Sequence, residues 1–245
     1  MSATAYFQAA LATLERVARE QSEAITAAAE RMVAAIVDDR SLFAFGASHS
    51  FMLAQELVYR TGGLVLINPI YPQGMNFSVR PITLTSTLER LPGLGRELLN
   101  ASPAQAGDVL LLASTSGRNA VIVDMALAAR ERDMTVIGVT SLDYSRQVDS
   151  RHPSGQKLMD LCDVKIDNGA PHGDAAVSIE GLAQRVGPLS SVTGCAIVNA
   201  LSAEIVARLA ARNIRPPVFM SANLDGGDAW NARCLAENRH RIHYL

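Results

Sequence analysis

Two short segments rich in serine and glycine each follow an apolar run and precede a helical pattern. The first is 46–50, after the run 42–45, and the second is 114–119, after the run 109–113. The first N–H groups of a helix have no internal partner, and the helix dipole adds positive potential there. Hydroxyl groups supply further donors, and glycine lets the backbone approach a ligand closely. Each segment therefore predicts an anion site, with a well-capped helix as the alternative explanation.

Histidine and carboxylate side chains close to these segments are candidates for proton transfer. His49 lies in the first segment, and Glu56 follows seven residues later, two helical turns on and on roughly the same face. His172 and Glu180 belong to a long glycine-rich stretch, 168–188. The alternatives are a histidine bonded to backbone, an exposed helical glutamate and a surface loop.

The elements that would position these groups alternate between strands and helices. The chain has 245 residues, 49% of them hydrophobic and only 5% aromatic, which is typical of helices packed on a buried sheet. Helical spacing runs through 4–37, and the segment 84–100 reads as a broken helix. Apolar runs predict the strands 42–45, 64–67, 109–113, 135–140 and 164–166, and further helices are predicted at 51–59, 120–132 and 193–211. Parallel strands bind ligands at their carboxyl ends, where both segments would project.

Composition and motifs exclude several classes of function. The net charge of −2 leaves no basic excess for a nucleic-acid partner. Neither G-x-G-x-x-G after the first strand nor G-x-x-x-x-G-K-[ST] is present, which disfavours a dinucleotide or a nucleoside triphosphate. The three cysteines indicate a reduced compartment and no cysteine zinc site. No signal peptide is visible and the apolar runs are short, so we expect a cytoplasmic protein without a membrane partner or a cofactor.

Residues 108–119 resemble the phosphosugar-binding signature of the SIS (sugar isomerase) domain, in which a strand leads into Ser-x-Ser-Gly and a helix. Residues 45–57 are similar to the family's first loop and helix, and residues 187–193 to the turn that opens its last helix. The resemblance spans 5–212, and we expect one domain over 1–245 with 213–245 as a C-terminal extension. It implies an α/β fold, a three-layer αβα sandwich with a five-stranded parallel sheet of flavodoxin/Rossmann-like type and a long N-terminal helix.

The resemblance also implies a ligand, its contacts and a second subunit. The ligand is a phosphorylated sugar in a site shared between the subunits of a homodimer. The residues implied to hold the phosphate are Ser114, Thr115, Ser116 and Asn119, and those implied to line the sugar are Ser48, Ser190, Ser191 and Thr193. The length and the 221–228 tail resemble a stand-alone group of SIS proteins, some of which are thought to dehydrate N-acetylglucosamine 6-phosphate.

These observations predict an enzyme that acts on an amino-sugar phosphate such as N-acetylglucosamine 6-phosphate, by dehydration (a lyase) or by aldose–ketose isomerisation. Both reactions need a base beside the sugar carbonyl, which gives His49 and Glu56 catalytic roles, supported by His172 and Glu180. A non-catalytic sugar-phosphate sensor that regulates a protein partner is the alternative, and a scaffold with an empty cleft is a third hypothesis.

Two departures from the family pattern bear on this prediction. Gln184 and Arg185 stand where related isomerases carry a glutamate before the last helix, which argues against simple isomerisation. Met52 stands one turn before Glu56, where phosphoheptose isomerases carry a zinc-binding histidine. The sequence therefore predicts no metal site.

Overall fold

The computed structural model describes residues 1–245, and its centre is one sheet of five parallel strands. The strands lie in the order β2-β1-β3-β4-β5. Their bounds are β1 Leu42–Gly46, β2 Ile67–Pro69, β3 Val109–Ala113, β4 Thr135–Thr140 and β5 Val164–Asp167. Every residue of β1 and β3 is buried, as expected for apolar runs in a parallel sheet that is covered on both faces.

Helices cover both faces of the sheet and make three layers. One core contains residues of α2, α3 and α9, and the other contains residues of α5, α6 and α8. The helices are α1 Ser2–Glu20, α2 Ser22–Val37, α3 Phe51–Leu57, α4 Leu84–Leu88, α5 Leu94–Asn100, α6 Ala120–Glu131, α7 Leu142–Arg146, α8 Leu158–Leu161, α9 Ser190–Ala211 and α10 Gly227–Glu237. Short 3₁₀ turns occupy Ser48–Ser50, His172–Asp174 and Arg239–Arg241. The predicted α/β sandwich and the long N-terminal helix are confirmed.

The second strand begins three residues later than the sequence predicts. We expected a strand at 64–67, but the residues that pair with β1 are Ile67–Pro69. The backbone of the preceding residues bonds to the C-terminal part of the chain instead. Leu64 forms an antiparallel bridge with Val218, and the Val65 N–H donates to the carbonyl of Pro217 at 2.9 Å. The apolar run is therefore divided between two different backbone partners.

The last long helix, α9, begins three residues earlier than predicted. By length and composition it is the one helix that could cross a membrane. Its inward face, including Ile197, Leu201 and Ile205, is buried in the core beside α2 and α3. These contacts are those of a core helix.

Gly95 provides a test of the contact between α5 and α6. A Cβ at this position would lie 1.9 Å from the carbonyl oxygen of Val121 and 2.9 Å from the Cβ of Asp124. Glycine to alanine normally stabilises a helix by about 1 kcal/mol. Here we expect Gly95→Ala to lower the free energy of unfolding by about 1–3 kcal/mol, because the added methyl group forces the helices apart. Urea denaturation measures the change, and a stabilised variant would contradict the observed packing.

Candidate functional site

A cleft of about 240 Å³ opens at the carboxyl ends of β1 and β3. The two strands pair in parallel with Gly46 opposite Ala113, so the loops that follow them start side by side. Most of the lining is polar. The polar side chains that line the cleft are Ser48, His49, Ser50, Glu89, Ser114, Thr115, Ser116, Asn119, Tyr144, Asp174, Ser190 and Ser191.

The loop after β3 offers hydrogen-bond donors without protein partners. The backbone N–H groups of Ser116, Arg118, Asn119 and Ala120 donate to no protein acceptor, and the hydroxyl groups of Thr115 and Ser116 are also unpaired. Gly117 turns the chain with a φ of +63° and is buried against α8. Such a set of donors at the start of a helix suits a group with several negatively charged oxygens.

The loop after β1 is held by a close backbone approach. A Cβ on Gly46 would lie 2.2 Å from the carbonyl oxygen of Ser50, so only glycine allows this turn. Ser48 has a φ of +52° and its N–H donates to the carbonyl of Met75 at 2.8 Å. This conformation directs the Ser48 hydroxyl to the carboxylate of Glu89, to which it donates a hydrogen bond.

Glu89 is a cleft residue that the sequence analysis did not single out. It follows α4, its carboxylate lines the cleft, and its Oε2 accepts a hydrogen bond from Asn119 Nδ2 at 2.5 Å. Its carbonyl oxygen accepts from the N–H of Val121 in the first turn of α6 at 3.1 Å. These partners are 30 or more residues away in the chain, so no local spacing indicates the role of Glu89.

The second cleft carboxylate, Asp174, caps the start of α9. It accepts hydrogen bonds from the N–H groups of Leu189 at 3.1 Å and Ser190 at 2.8 Å, and from the Ser190 hydroxyl at 2.5 Å. The Ser190 hydroxyl is thereby engaged, whereas the hydroxyl groups of Ser50 and Ser191 have no protein partner. Asp174 is therefore a structural anchor of the cleft wall.

The two histidines predicted from sequence lie at the rim of the cleft. The His49 ring is exposed and packs 4.6 Å from the ring of Phe77. His172 is exposed and contacts Tyr144, a lining residue, with ring centroids 4.8 Å apart. Of the two, only His49 lines the cleft itself.

The structure does not place Glu56, Glu180 or Thr193 in the cleft. His49 belongs to a 3₁₀ turn before α3, so the seven-residue spacing does not bring Glu56 to its face; Glu56 instead bonds Arg60 at 2.9 Å and Asn199 at 2.8 Å. Glu180 is exposed in its loop. Thr193 is fully buried, and its hydroxyl donates to the carbonyl of Leu189 at 3.1 Å.

The Asn119 side chain was expected to hold the phosphate, but it bonds to protein groups. Its Nδ2 donates to Glu89, and its Oδ1 accepts from the guanidinium of Arg151 at 3.0 Å. Both ends of the amide therefore bond protein groups, and the donors of Asn119 without a protein partner are its backbone N–H and the second N–H of Nδ2.

The charge of Arg151 lies close enough to Glu89 for the two to attract each other. Burial lowers the pKa of the Arg151 guanidinium, and the positive charges of Arg118 and Arg90 nearby lower it further. Arginine remains charged at any physiological pH. Arg151, with Arg118 and Arg90 near it, therefore supplies positive charge close to the Glu89 carboxylate.

The fold and the paired loops define a class of protein, the SIS domain. The sequence pattern of this domain matches residues 5–141, and the chain belongs to the SIS domain family, as the sequence resemblance predicted. It is 44% identical over 240 residues to a UPF0309 protein of Shouchella clausii, an alignment that covers 98% of both chains. A UPF0309 protein of Streptomyces griseus is also 44% identical, over 98% of this chain and 96% of its own.

Two solved structures share the fold at low sequence identity. A phosphoheptose isomerase from Neisseria gonorrhoeae superimposes with a TM-score of 0.56 and 22% identity, covering 84% of this chain and 97% of its own. The Vibrio vulnificus NanR protein complexed with ManNAc-6P gives a TM-score of 0.52 and 18% identity, covering 85% of this chain and 64% of its own. At these identities the comparison establishes the fold.

Proposed function

We propose that the cleft binds a phosphorylated sugar, with the phosphate at the start of α6. The observation that carries this proposal is the group of unpaired donors: the N–H groups of Ser116, Arg118, Asn119 and Ala120 and the hydroxyl groups of Thr115 and Ser116. A phosphate ester has the oxygens to satisfy this many donors at once. The hydroxyl groups of Ser50 and Ser191, which line the same cleft, are available to the sugar.

In this proposal the bound ligand is a substrate, and Glu89 is the general base. Its carboxylate reaches the same cleft as the phosphate donors and is held by Ser48 and Asn119. With an open-chain amino-sugar phosphate such as N-acetylglucosamine 6-phosphate, Glu89 removes the proton from C2. The electron pair of that bond forms the C2–C3 double bond, and the C3 hydroxyl group leaves as water after taking a proton. His49, at the rim, is our candidate for the acid that supplies this proton.

Isomerisation starts with the same proton. In an aldose with a hydroxyl group at C2, loss of the C2 proton and protonation of the C1 carbonyl oxygen give an enediol. Return of the proton to C1 and loss of the proton from the C2 hydroxyl group then give the ketose. The phosphate site fixes the far end of the substrate, and this binding positions the reacting carbons against Glu89. The solved neighbours with this fold include a phosphoheptose isomerase, which supports the isomerase class.

A sensor of sugar phosphates is the second candidate. The observation that favours it is the shared fold with the NanR protein in complex with ManNAc-6P. A sensor needs the phosphate donors of the cleft but no base, so the two candidates differ in what Glu89 does after binding.

The first prediction concerns the phosphate. We expect N-acetylglucosamine 6-phosphate to bind and unphosphorylated N-acetylglucosamine to bind far more weakly, as measured by calorimetry. Ser116→Ala should weaken binding of the phosphorylated sugar about 10- to 100-fold, since a hydrogen bond to a charged group contributes about 1.5–3 kcal/mol. The matched control is Ser86→Ala, because Ser86 is exposed on α4 and does not line the cleft. Equal affinity for the two sugars would refute the phosphate site.

The second prediction concerns the base. Glu89→Gln should lower kcat about 10²–10⁴-fold and leave binding nearly intact, because the amide keeps the shape of the carboxylate but cannot take a proton. Exchange of the C2 proton in heavy water, followed by NMR, and product mass report the reaction. Glu97→Gln on the exposed face of α5 is the control. Full activity of Glu89→Gln would remove Glu89 as the base, and binding without exchange in the wild type would favour the sensor.

We also propose a homodimer formed through α9, with sites shared between the subunits. The outward side chains of α9, Val192, Ala196, Ala200 and Ala203, are exposed and apolar. Met52 and Glu56 of α3 lie in the same surface depression as Cys195 of α9, which places Glu56 at the proposed interface. A two-fold axis would pair this face with itself.

The third prediction tests this interface. Ala200→Glu places two like charges close to the proposed axis, so we expect the variant to elute as a monomer where the wild type elutes as a dimer. Light scattering coupled to size-exclusion chromatography gives the masses. The control is Ala236→Glu on the exposed surface of α10. A wild type that is monomeric at all concentrations would contradict the proposal.

A further inference from the structure

A chain of hydrogen bonds leads from Glu89 to a charged residue outside the cleft. Asn119 Nδ2 donates to Glu89 Oε2 at 2.5 Å, and Asn119 Oδ1 accepts from Arg151 Nη1 at 3.0 Å. Arg151 does not line the cleft, and its hydrogen-bonded route to the carboxylate runs through the amide, beside the direct Coulombic attraction between its charge and Glu89. Its position in the chain, 32 residues after Asn119, gives no sequence signal for this role.

Arg151, at the outer end of this series of hydrogen bonds, determines which groups in the series donate and which accept. A guanidinium group has donors and no acceptor, so the amide of Asn119 must turn its oxygen toward Arg151. The amide nitrogen then necessarily faces Glu89, and an ionised carboxylate can only accept. Without Arg151 only the carboxylate itself would hold the amide in this orientation, and a protonated Glu89 could pair with the oxygen of a flipped amide. Arg151 therefore selects the one orientation of Asn119 that supports an ionised Glu89.

Arg151 is itself held in place by α6 and the loop before it. The backbone N–H of Arg151 donates to the carbonyl of Arg118 at 2.8 Å. The next residue, His152, lies 3.0 Å from Asp124 on α6, and both side chains are nearly buried. The other oxygen of Asp124 accepts the Gly93 N–H at 2.6 Å, four residues after Glu89. One carboxylate of α6 thus holds the residue that follows Arg151 and the segment that follows Glu89.

We propose that Arg151 is a positioning residue for the general base, an inference that rests on the proposed function. Through Asn119 it keeps Glu89 Oε2 occupied as an acceptor and directs Oε1, which is bonded to the Ser48 hydroxyl, to receive the substrate proton. Ser48 can adapt to either state of Oε1, because a hydroxyl group both donates and accepts.

The test compares two replacements of Arg151 by C2 proton exchange with N-acetylglucosamine 6-phosphate. Arg151→Met keeps an unbranched stem and removes the donor, and should lower kcat about 10- to 100-fold with KM unchanged, because a misplaced base slows the reaction without weakening the phosphate contacts. Arg151→Lys keeps a donor and should recover most of the loss. The matched control is Arg146→Met, since Arg146 is exposed nearby on α7 and makes no hydrogen bond through its side chain.

A double-mutant cycle separates positioning from general stability. If Arg151 acts through Asn119, Arg151→Met combined with Asn119→Ala should be no slower than Asn119→Ala alone. The inference would be overturned if the two losses in kcat multiplied in the double variant, or if Arg151→Met were as active as the Arg146→Met control. The inference would also be overturned if both Arg151 variants lost activity and their melting temperatures fell by the same amount. A wild type that binds the sugar phosphate without any exchange would instead overturn the proposed enzymatic function.

Discussion

The first turn of α6 is the constraint on which the site depends. A helix cannot pair its own first N–H groups, and here those of Asn119, which lines the cleft, and Ala120 have no protein acceptor. The next N–H, that of Val121, donates to the carbonyl of Glu89. One helical turn therefore sets both the donors for an anion and the position of a carboxylate. Their separation is fixed before any ligand arrives, which is the geometric condition for an electrostatically prepared site.

The sheet brings the second half of the site to this turn. Parallel pairing places Gly46 at the end of β1 beside Ala113 at the end of β3, with both strands fully buried. Loops that start from such rigid strands have little freedom in their first residues. The positive φ of Ser48 then aims its hydroxyl group at Glu89. Strand register therefore brings the two loops into contact. The sequence indicates each loop but not the contact between them.

The parts of the structure that follow from the sequence are those with local causes. The strands β1, β3 and β4, the helix α6 and both serine-rich loops are set by apolar runs and capping residues, and each was predicted close to its observed bounds. The second strand was misplaced because 64–66 contact the distant 217–218 backbone. Glu89 was missed, and Glu56 was wrongly expected in the cleft. Helix phase and tertiary contacts decide which carboxylate faces inward, and residue spacing along the chain reveals neither.

Under the proposed function, positive charges near the site offset the repulsion between two negative groups. A bound phosphate dianion and an ionised Glu89 would share one short stretch of the cleft, and two negative groups at such range repel strongly in a partly buried setting. The helix N-terminus offsets part of this cost, and the guanidinium groups of Arg118 and Arg90 lie close enough to Arg151 to lower its pKa. Because Arg151 is engaged by Asn119 and does not line the cleft, its charge acts on the site without occupying it. The arginines therefore balance the two anions, and the recognition of the ligand remains with the backbone and the hydroxyl groups.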